Sequence, residues 1–391
     1  MNTVPLQVPL ALYIHLPWCE SKCPYCDFNS HPLHGDLPTA RYIEALLADL
    51  ETVSELRDQR IFSSVFFGGG TPSLFSAADI GYLLERLQKQ QLLHSDAEIT
   101  LEANPGSAEA GRFKAYRGCG VNRLSIGVQS FNDNRLKSLG RIHNGTQALN
   151  ACASATAAGF VNFNVDLMHG LPGQDEPGAL VDLEFAIETG ATHLSLYQLT
   201  IEPNTLFAAD PPPLPTEDTA WAIRCAVQAR AVSAGFNHYE VSAFSQPGHD
   251  CRHNLNYWQF GDYIGLGAGA HSKITRAEGI YRWIRPRHPR EYLGKVTAGL
   301  EIDLGVPVGV DELVFEFLLN ALRLKGGFSP DLFLQRTGLP FQHLQPAIDQ
   351  AVVDGLLVSD NKRVCTTPLG WRFLDDLLQR FLVDGDPPSR A

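Results

Sequence analysis

Short runs of apolar, β-branched and aromatic residues recur along the chain and alternate with longer segments in which apolar positions return every three or four residues. The short runs LALYIHL (10–16), SVFF (64–67), EITLEA (98–103), RLSIGVQ (123–129), NFNVDLM (162–168) and HLSLYQL (193–199) predict six β-strands. ARYIEALLADLETVSEL (40–56) and QALNACASATAAG (147–159) carry helical spacing, and the closing glycine of the second reads as a helix stop. Strand, helix, strand in this rhythm predicts an α/β fold with a parallel sheet of six βα units, curved into a full or partial barrel. Past residue 201 the rhythm changes: PNTLFAADPPPLPTEDT (203–219) is a proline-rich loop leading into a helix through about Ser233, and HYEVSAFS (238–245) reads as one further strand. From about residue 306 the pattern becomes helical, with DELVFEFLLNALRL, SPDLFLQRTG and QPAIDQAVVDG, then the hairpin-like LLVSDNKRVCTT and a final helix. This is a winged-helix-like arrangement. The expected organisation is a barrel over 1–245, a connecting segment over 246–305 and a mostly helical C-terminal domain over 306–391.

The 391 residues, 44% hydrophobic and 9% aromatic, suffice for one barrel-sized domain and a smaller companion. A formal net charge of -12 argues against general affinity for nucleic acid or anionic lipid. Winged helices often bind DNA, yet residues 311–391 hold eight Lys or Arg against eleven Asp or Glu, so a packing or partner-contact role is favoured there. The first ten residues carry no basic side chain, and Pro5, Pro9 and Pro17 interrupt the apolar run, so neither a secretory signal nor a membrane span is expected and the location is read as cytoplasmic. In that setting the eight cysteines are reduced thiols or metal ligands.

Three of them, Cys19, Cys23 and Cys26, lie in PWCESKCPYCDFNSH (17–31) with C-x3-C-x2-C spacing, directly after the first strand. Pro24 keeps them out of a regular helix, so the thiolates meet in a loop at the strand's C-terminal end, where barrels place their chemistry. A structural zinc wants four protein ligands, and His31, His34 or Asp27 would be an irregular fourth. A cluster held by three thiolates leaves one iron open, and iron-sulfur is favoured over zinc. Glu102, Gln129 and Asp166 are polar residues within or at the ends of apolar strands; each alone is as well explained by a turn, but together they favour one pocket. GGGTPS (68–73) follows the second strand, where missing side chains would let backbone approach a ligand. HDCRHNLNYW (249–258) offers His249, Cys251 and His253 beside aromatic faces, although a lone histidine is more often a hydrogen-bonded structural residue than an iron ligand. Cys119, Cys152, Cys225 and Cys365 have no partner spacing and read as small core or surface residues.

C-x3-C-x2-C with an aromatic, Tyr25, before the last cysteine resembles the signature of radical S-adenosylmethionine (SAM) proteins. The resemblance implies a 4Fe-4S cluster on Cys19, Cys23 and Cys26, whose open iron chelates SAM, and reductive cleavage to a 5'-deoxyadenosyl radical. It extends through YIHLPWC, LEANP, IGVQSF, VDLMHGLPGQ and NYWQFGDYIGLGAGAHS to the C-terminal domain, and there is similar to the oxygen-independent coproporphyrinogen oxidases and their HemW-type relatives. That family implies a partial (βα)6 TIM-like barrel and SAM contacts from Tyr13, Gly69, Gly70, Thr71, Glu102, Gln129 and Asp166, with Arg141 on the SAM carboxylate. The oxidases carry a fourth cysteine where Phe28 stands, and a long N-terminal extension where only twelve residues precede Tyr13. Both departures, and the motif His253-Asn254-x-x-Tyr257-Trp258, resemble the HemW-type haem chaperones. That branch implies haem as cargo with His253 as candidate ligand and haem-accepting partners such as membrane-associated respiratory enzymes; the sequence leaves open whether the chain forms a homodimer. A patch of Arg282, Arg285, Arg287 and Arg290 is a candidate receiver of propionates. A radical enzyme acting on a tetrapyrrole is the alternative, and a zinc-stabilised barrel a weaker third.

Overall fold

The computed structural model of the chain describes residues 8–106 and 111–382. Its frame is an eleven-stranded sheet built from β1 (Leu10–Leu16), β2 (Phe62–Gly69), β3 (Leu93–Ala103), β4 (Arg123–Gln129), β5 (Phe163–His169), β6 (His193–Gln198), β7 (Asn237–His238), β8 (Ala243–Ser245), β9 (Asp262–Leu266), β10 (His271–Arg276) and β11 (Gly279–Ile284). The order is β11-β10-β9-β1-β2-β3-β4-β5-β6-β8-β7, with β1 to β6 mutually parallel. These are the six strands expected from the apolar runs. Side chains from β1 (Tyr13) and β6 (Tyr197) line one cavity, so the sheet curls into a partial barrel around it.

Alternation along each strand decides what faces the cavity. In β4, Arg123, Ser125, Gly127 and Gln129 line it, while Leu124, Ile126 and Val128 are buried against helix Gly145–Ala157 through Ala148, Ala151 and Ala155. The same two-residue period puts Asn164, Asp166 and Met168 of β5 and His193, Ser195 and Tyr197 of β6 inside. The interior is polar and the apolar core lies between strands and helices. Helix Ala77–Lys89 starts at a Ser76–Asp79 capping box and helix Gly145–Ala157 at an Asn144–Gln147 one, and Gly159, at φ +85°, ends the second as expected.

Two expectations change. HYEVSAFS is not one strand: β7 and β8 form a small antiparallel pair on the edge beside β6. Glu240 turns out of the sheet between them to pair with Arg323 of the C-terminal unit at 3.1 Å, and Val241 N–H donates to the Arg323 carbonyl. Residues 246–305 supply three strands to the main sheet, with β9 running parallel to β1 on the side away from β2.

The C-terminal unit comprises helices Val310–Ala321, Pro330–Thr337 and Gln345–Val353, the hairpin β12 (Leu357–Ser359) and β13 (Val364–Thr366), and two short helices. Its own core centres on Phe317, in edge-to-face contact with Phe260, Phe328 and Phe333. Phe260 and Ile280 are the barrel side's contributions to that core. No described helix is long and apolar enough to cross a membrane.

Candidate cofactor site

The chain leaves β1 at Leu16 and enters the cysteine loop, whose two ends are tied by a short parallel ladder of Trp18–Cys19 with His31–Pro32. His31 N–H donates to the Pro17 carbonyl at 2.7 Å and Leu33 N–H to that of Cys19 at 2.9 Å, and a turn closes inside the loop from Cys26 N–H to the Cys23 carbonyl. Asn29 bolts the loop to the sheet: its Nδ2 donates to the carbonyls of Ala268 and Arg287, both at 2.9 Å, and its own carbonyl is 2.8 Å from His15 Nε2. The glycine-rich turn after β9 exists for this contact. A Cβ on Gly269 would lie 2.2 Å from Asn29 Nδ2, and one on Gly267 would lie 2.5 Å from the His15 carbonyl oxygen. The GGGTPS glycines likewise answer first to the protein itself, since a Cβ on Gly70 would lie 2.4 Å from the Trp18 carbonyl oxygen and one on Gly69 2.7 Å from the His15 ring.

The twelve residues expected to hold the cluster, SAM or the haem iron line one cavity of about 710 Å³: Tyr13, Cys19, Cys23, Cys26, Gly69, Gly70, Thr71, Glu102, Gln129, Arg141, Asp166 and His253. Cys19 is buried, which raises its thiol pKa, and Cys23 and Cys26 are half-buried. Among the described residues no three His, Cys, Asp or Glu side chains gather as ligands of one ion. Three thiols carried by one loop at the cavity are the donor set of a cluster that takes one thiolate per iron. Phe28, 65% exposed, stands at the cavity beside them.

Arg141 faces the cysteines, with Nη1 3.5 Å from Cys23 Sγ, and is held by Nη2 bonds to Asn104 Oδ1 (2.6 Å) and the Gly127 carbonyl (2.8 Å). Its Nε is buried without a partner. Burial pushes the Glu102 carboxyl up to about 8, with the nearby Asp166 charge adding to the rise, while a bond from Gly69 N–H to Oε2 at 3.2 Å opposes it. Asp166 is also raised, mainly by burial. Gln129 closes β4 at φ +69°, where its strand pairing shifts register, a backbone conformation that marks an imposed position. Tyr13 Oη bonds His15 Nδ1 at 2.9 Å and its ring stacks on Phe66. SAM carries an ammonium, a sulfonium and a carboxylate; two desolvated carboxyls and a guanidinium with an unused donor match that set.

His253 is placed differently. It is 1% exposed, with Nδ1 2.9 Å from Ser64 Oγ and Nε2 3.1 Å from Tyr257 Oη, and burial lowers its pKa to about 3. Both ring nitrogens are in use. Cys251 does not line the cavity: it is fully buried at the start of helix Arg252–Trp258, donates to Glu98 Oε1 at 3.6 Å, and burial pushes its thiol up to about 12. The arginine patch does not form. Arg285 is buried in an ion pair with Asp49, Arg282 bonds Glu316 at 2.7 Å and Tyr263 at 2.9 Å, and only Arg287 and Arg290 of the four are exposed. Sequence reading missed Arg123, Ser125, Asn164, His193 and Ser195 on the cavity wall, although the alternation in RLSIGVQ, NFNVDLM and HLSLYQL is the signal that finds them.

The pattern of the Radical SAM superfamily matches residues 13–186 and that of the HemN C-terminal domain residues 310–373. Heme chaperone HemW of Escherichia coli (strain K12) is 46% identical over 377 residues, covering 96% of this chain and 99% of the relative. This chain belongs to the HemW family. Heme chaperone HemW of Haemophilus influenzae is also 46% identical, over 97% of this chain and 100% of the relative. The solved structure titled "Coproporphyrinogen III oxidase (HemN) from Escherichia coli is a Radical SAM enzyme" superimposes with a TM-score of 0.79 over 96% of this chain and 90% of that one, at 23% identity, which shows a shared fold.

Proposed function

We propose that this protein is a haem chaperone that binds haem and delivers it in the cytoplasm to haem-accepting proteins, membrane-associated respiratory enzymes among them, and that it holds a 4Fe-4S cluster and SAM. The observation that carries the reading is the single cavity: three thiols on one bolted loop face two desolvated carboxyls and Arg141. The near-full-length similarity to relatives named heme chaperones supports the cargo. Cys19, Cys23 and Cys26 would hold the cluster, which when bound supplies an electron to SAM. Arg141 would clamp the SAM carboxylate, Glu102 and Asp166 the cationic and ribose groups, with Tyr13, Gly69, Gly70, Thr71 and Gln129 shaping the rim. His253 is the proposed haem ligand, reached through Nε2 once Tyr257 Oη gives way. A homodimer, and a packing or partner-contact role for the C-terminal unit, belong to the same proposal.

The test mixes anaerobically reconstituted protein with haem and, separately, with coproporphyrinogen III, SAM and a reductant. Stoichiometric haem binding without decarboxylated product is expected. Repeated turnover to protoporphyrinogen IX would replace the chaperone with an oxidase.

A further inference from the structure

Arg123 opens β4 on the floor of the cavity and is 2% exposed. Its Nε is buried without a partner, and among the described residues its guanidinium donates no hydrogen bond and makes no ion pair. The polar groups around it are engaged elsewhere. Glu98 Oε1 accepts His253 N–H at 3.0 Å, and its Oε2 accepts Arg252 N–H at 3.2 Å. Asn164 Nδ2 donates to Asp166 Oδ1 at 2.7 Å, and Asn164 Oδ1 accepts from Ser195 Oγ at 3.0 Å and sits 2.7 Å from His193 Nδ1. His193 Nε2 is 2.8 Å from Tyr239 Oη. The floor is a bonded polar network with one cation left over. Burial works against the charge on that guanidinium, and Cys251, Glu98, Tyr239 and Asp166 nearby outweigh it; beside the larger effect of burial, the guanidinium is close enough to depress the proton affinity of His253. A desolvated charge without a bonded partner is costly, and a ligand that completes it explains its retention.

We propose that Arg123 anchors a second subsite, which receives a carboxylate of a molecule lying deeper in the barrel than SAM. This rests on reading the rim as the SAM site. The planar guanidinium fork suits a carboxylate bidentately. SAM's own carboxylate is not the occupant: Arg141 stands by Cys23 at the rim and bonds the Gly127 carbonyl, four residues along the strand from Arg123, roughly 13 Å away. The carboxylate comes from a propionate arm of the tetrapyrrole or from a small free acid.

The test uses full-length, cluster-loaded, SAM-saturated protein as wild type, Arg123→Met and Arg123→Lys, with haemin, haemin dimethyl ester and propionate as probes. Haemin binding should weaken at least about tenfold in Arg123→Met and less in Arg123→Lys, with the ester weak throughout and SAM affinity unchanged. Propionate that binds wild type but not Arg123→Met, with haemin indifferent to the substitution, would support the subsite with a small acid as its source. Unchanged affinity for both probes in a variant of wild-type melting temperature would overturn the subsite; if Arg123→Met does not fold, Arg123→Lys is read against the same outcomes. A loss of SAM affinity in Arg123→Met would overturn it too, by assigning the residue to SAM. If SAM fails to bind wild type, the rim reading fails while the probe series, run without SAM, still decides the floor.

Discussion

The cysteine loop and the helix Arg252–Trp258 line the same cavity, and both stand out in the sequence, yet they present opposite chemistry. The loop's backbone is tied down at both ends while Cys23 and Cys26 keep half-buried thiols toward the cavity. In the helix the histidine of the motif is consumed inside the protein, by Ser64 and Tyr257, while Trp258 Nε1 is buried without a partner among the described residues. His253 must break a bond to bind anything, whereas the Cys23 and Cys26 thiols make long contacts, to Arg141 Nη1 at 3.5 Å and Ser30 Oγ at 3.7 Å, and a rigid backbone carrying loosely held donors is the better mark of a site than a cluster of suitable residue types.

The largest effect that can break this contrast falls on the loop. Cys19→Ala, Cys23→Ala or Cys26→Ala should each reduce iron and sulfide in anaerobically reconstituted protein to near background, because among the described residues no further cysteine lines the cavity to substitute. Full iron content with unchanged absorption in any one of them would remove the cluster assignment. Next is Arg141→Ala, expected to weaken SAM binding by about 1.5–3 kcal/mol, roughly 10- to 150-fold, with iron content retained since the thiolates remain. Equal SAM affinity would place the carboxylate clamp elsewhere.

Much of this loop was legible because its information is local. Three cysteines within eight residues, a proline between them and an apolar strand before them need no distant partner to be read. β1 to β6 were legible for the same reason. What was not legible depends on partners far along the chain. β9, within DYIGL, is short and becomes a strand by pairing with β1 from the far N-terminal side of the sequence. Arg285 looked like surface charge until Asp49 buried it. The saturation of His253 depends on Ser64, and the bend in HYEVSAFS on Arg323. The inward set from Arg123 to Ser195 is a middle case, present as period-two alternation but outweighed by the apolar character of the strands.

The helix side of the comparison is sharpened by two substitutions with opposite expectations. If His253 ligates haem, Tyr257→Phe frees Nε2 from one hydrogen bond worth about 0.5–1.5 kcal/mol, so haem affinity should rise roughly 2- to 13-fold, whereas His253→Ala should lower it and shift the Soret band. A purely structural histidine gives another pattern, in which both variants lower the melting temperature and neither moves the haem spectrum.

The smallest effect reads the rim itself through its protons. Glu102 titrates near 8 in the folded chain against an ordinary value of 4.5, chiefly because burial disfavours its charge. The folded state therefore holds a proton that the unfolded state has released, and the linked stability is fully present below about 4.5, declines as pH rises and is lost above about 8. Asp166 is shifted in the same direction, so Glu102→Gln should flatten the fall in melting temperature between pH 5 and 8 without abolishing it. Cationic groups of SAM beside Glu102 would favour its carboxylate, so SAM should bind more tightly as pH rises toward 8 and should release a proton on binding near neutrality. Calorimetry in two buffers of different ionisation enthalpy measures that proton. Its presence in wild type and absence in Glu102→Gln would put a ligand cation against this carboxyl, and the same proton count in both proteins would show that the desolvated rim carboxyl, unlike the thiols beside it, takes no part in binding.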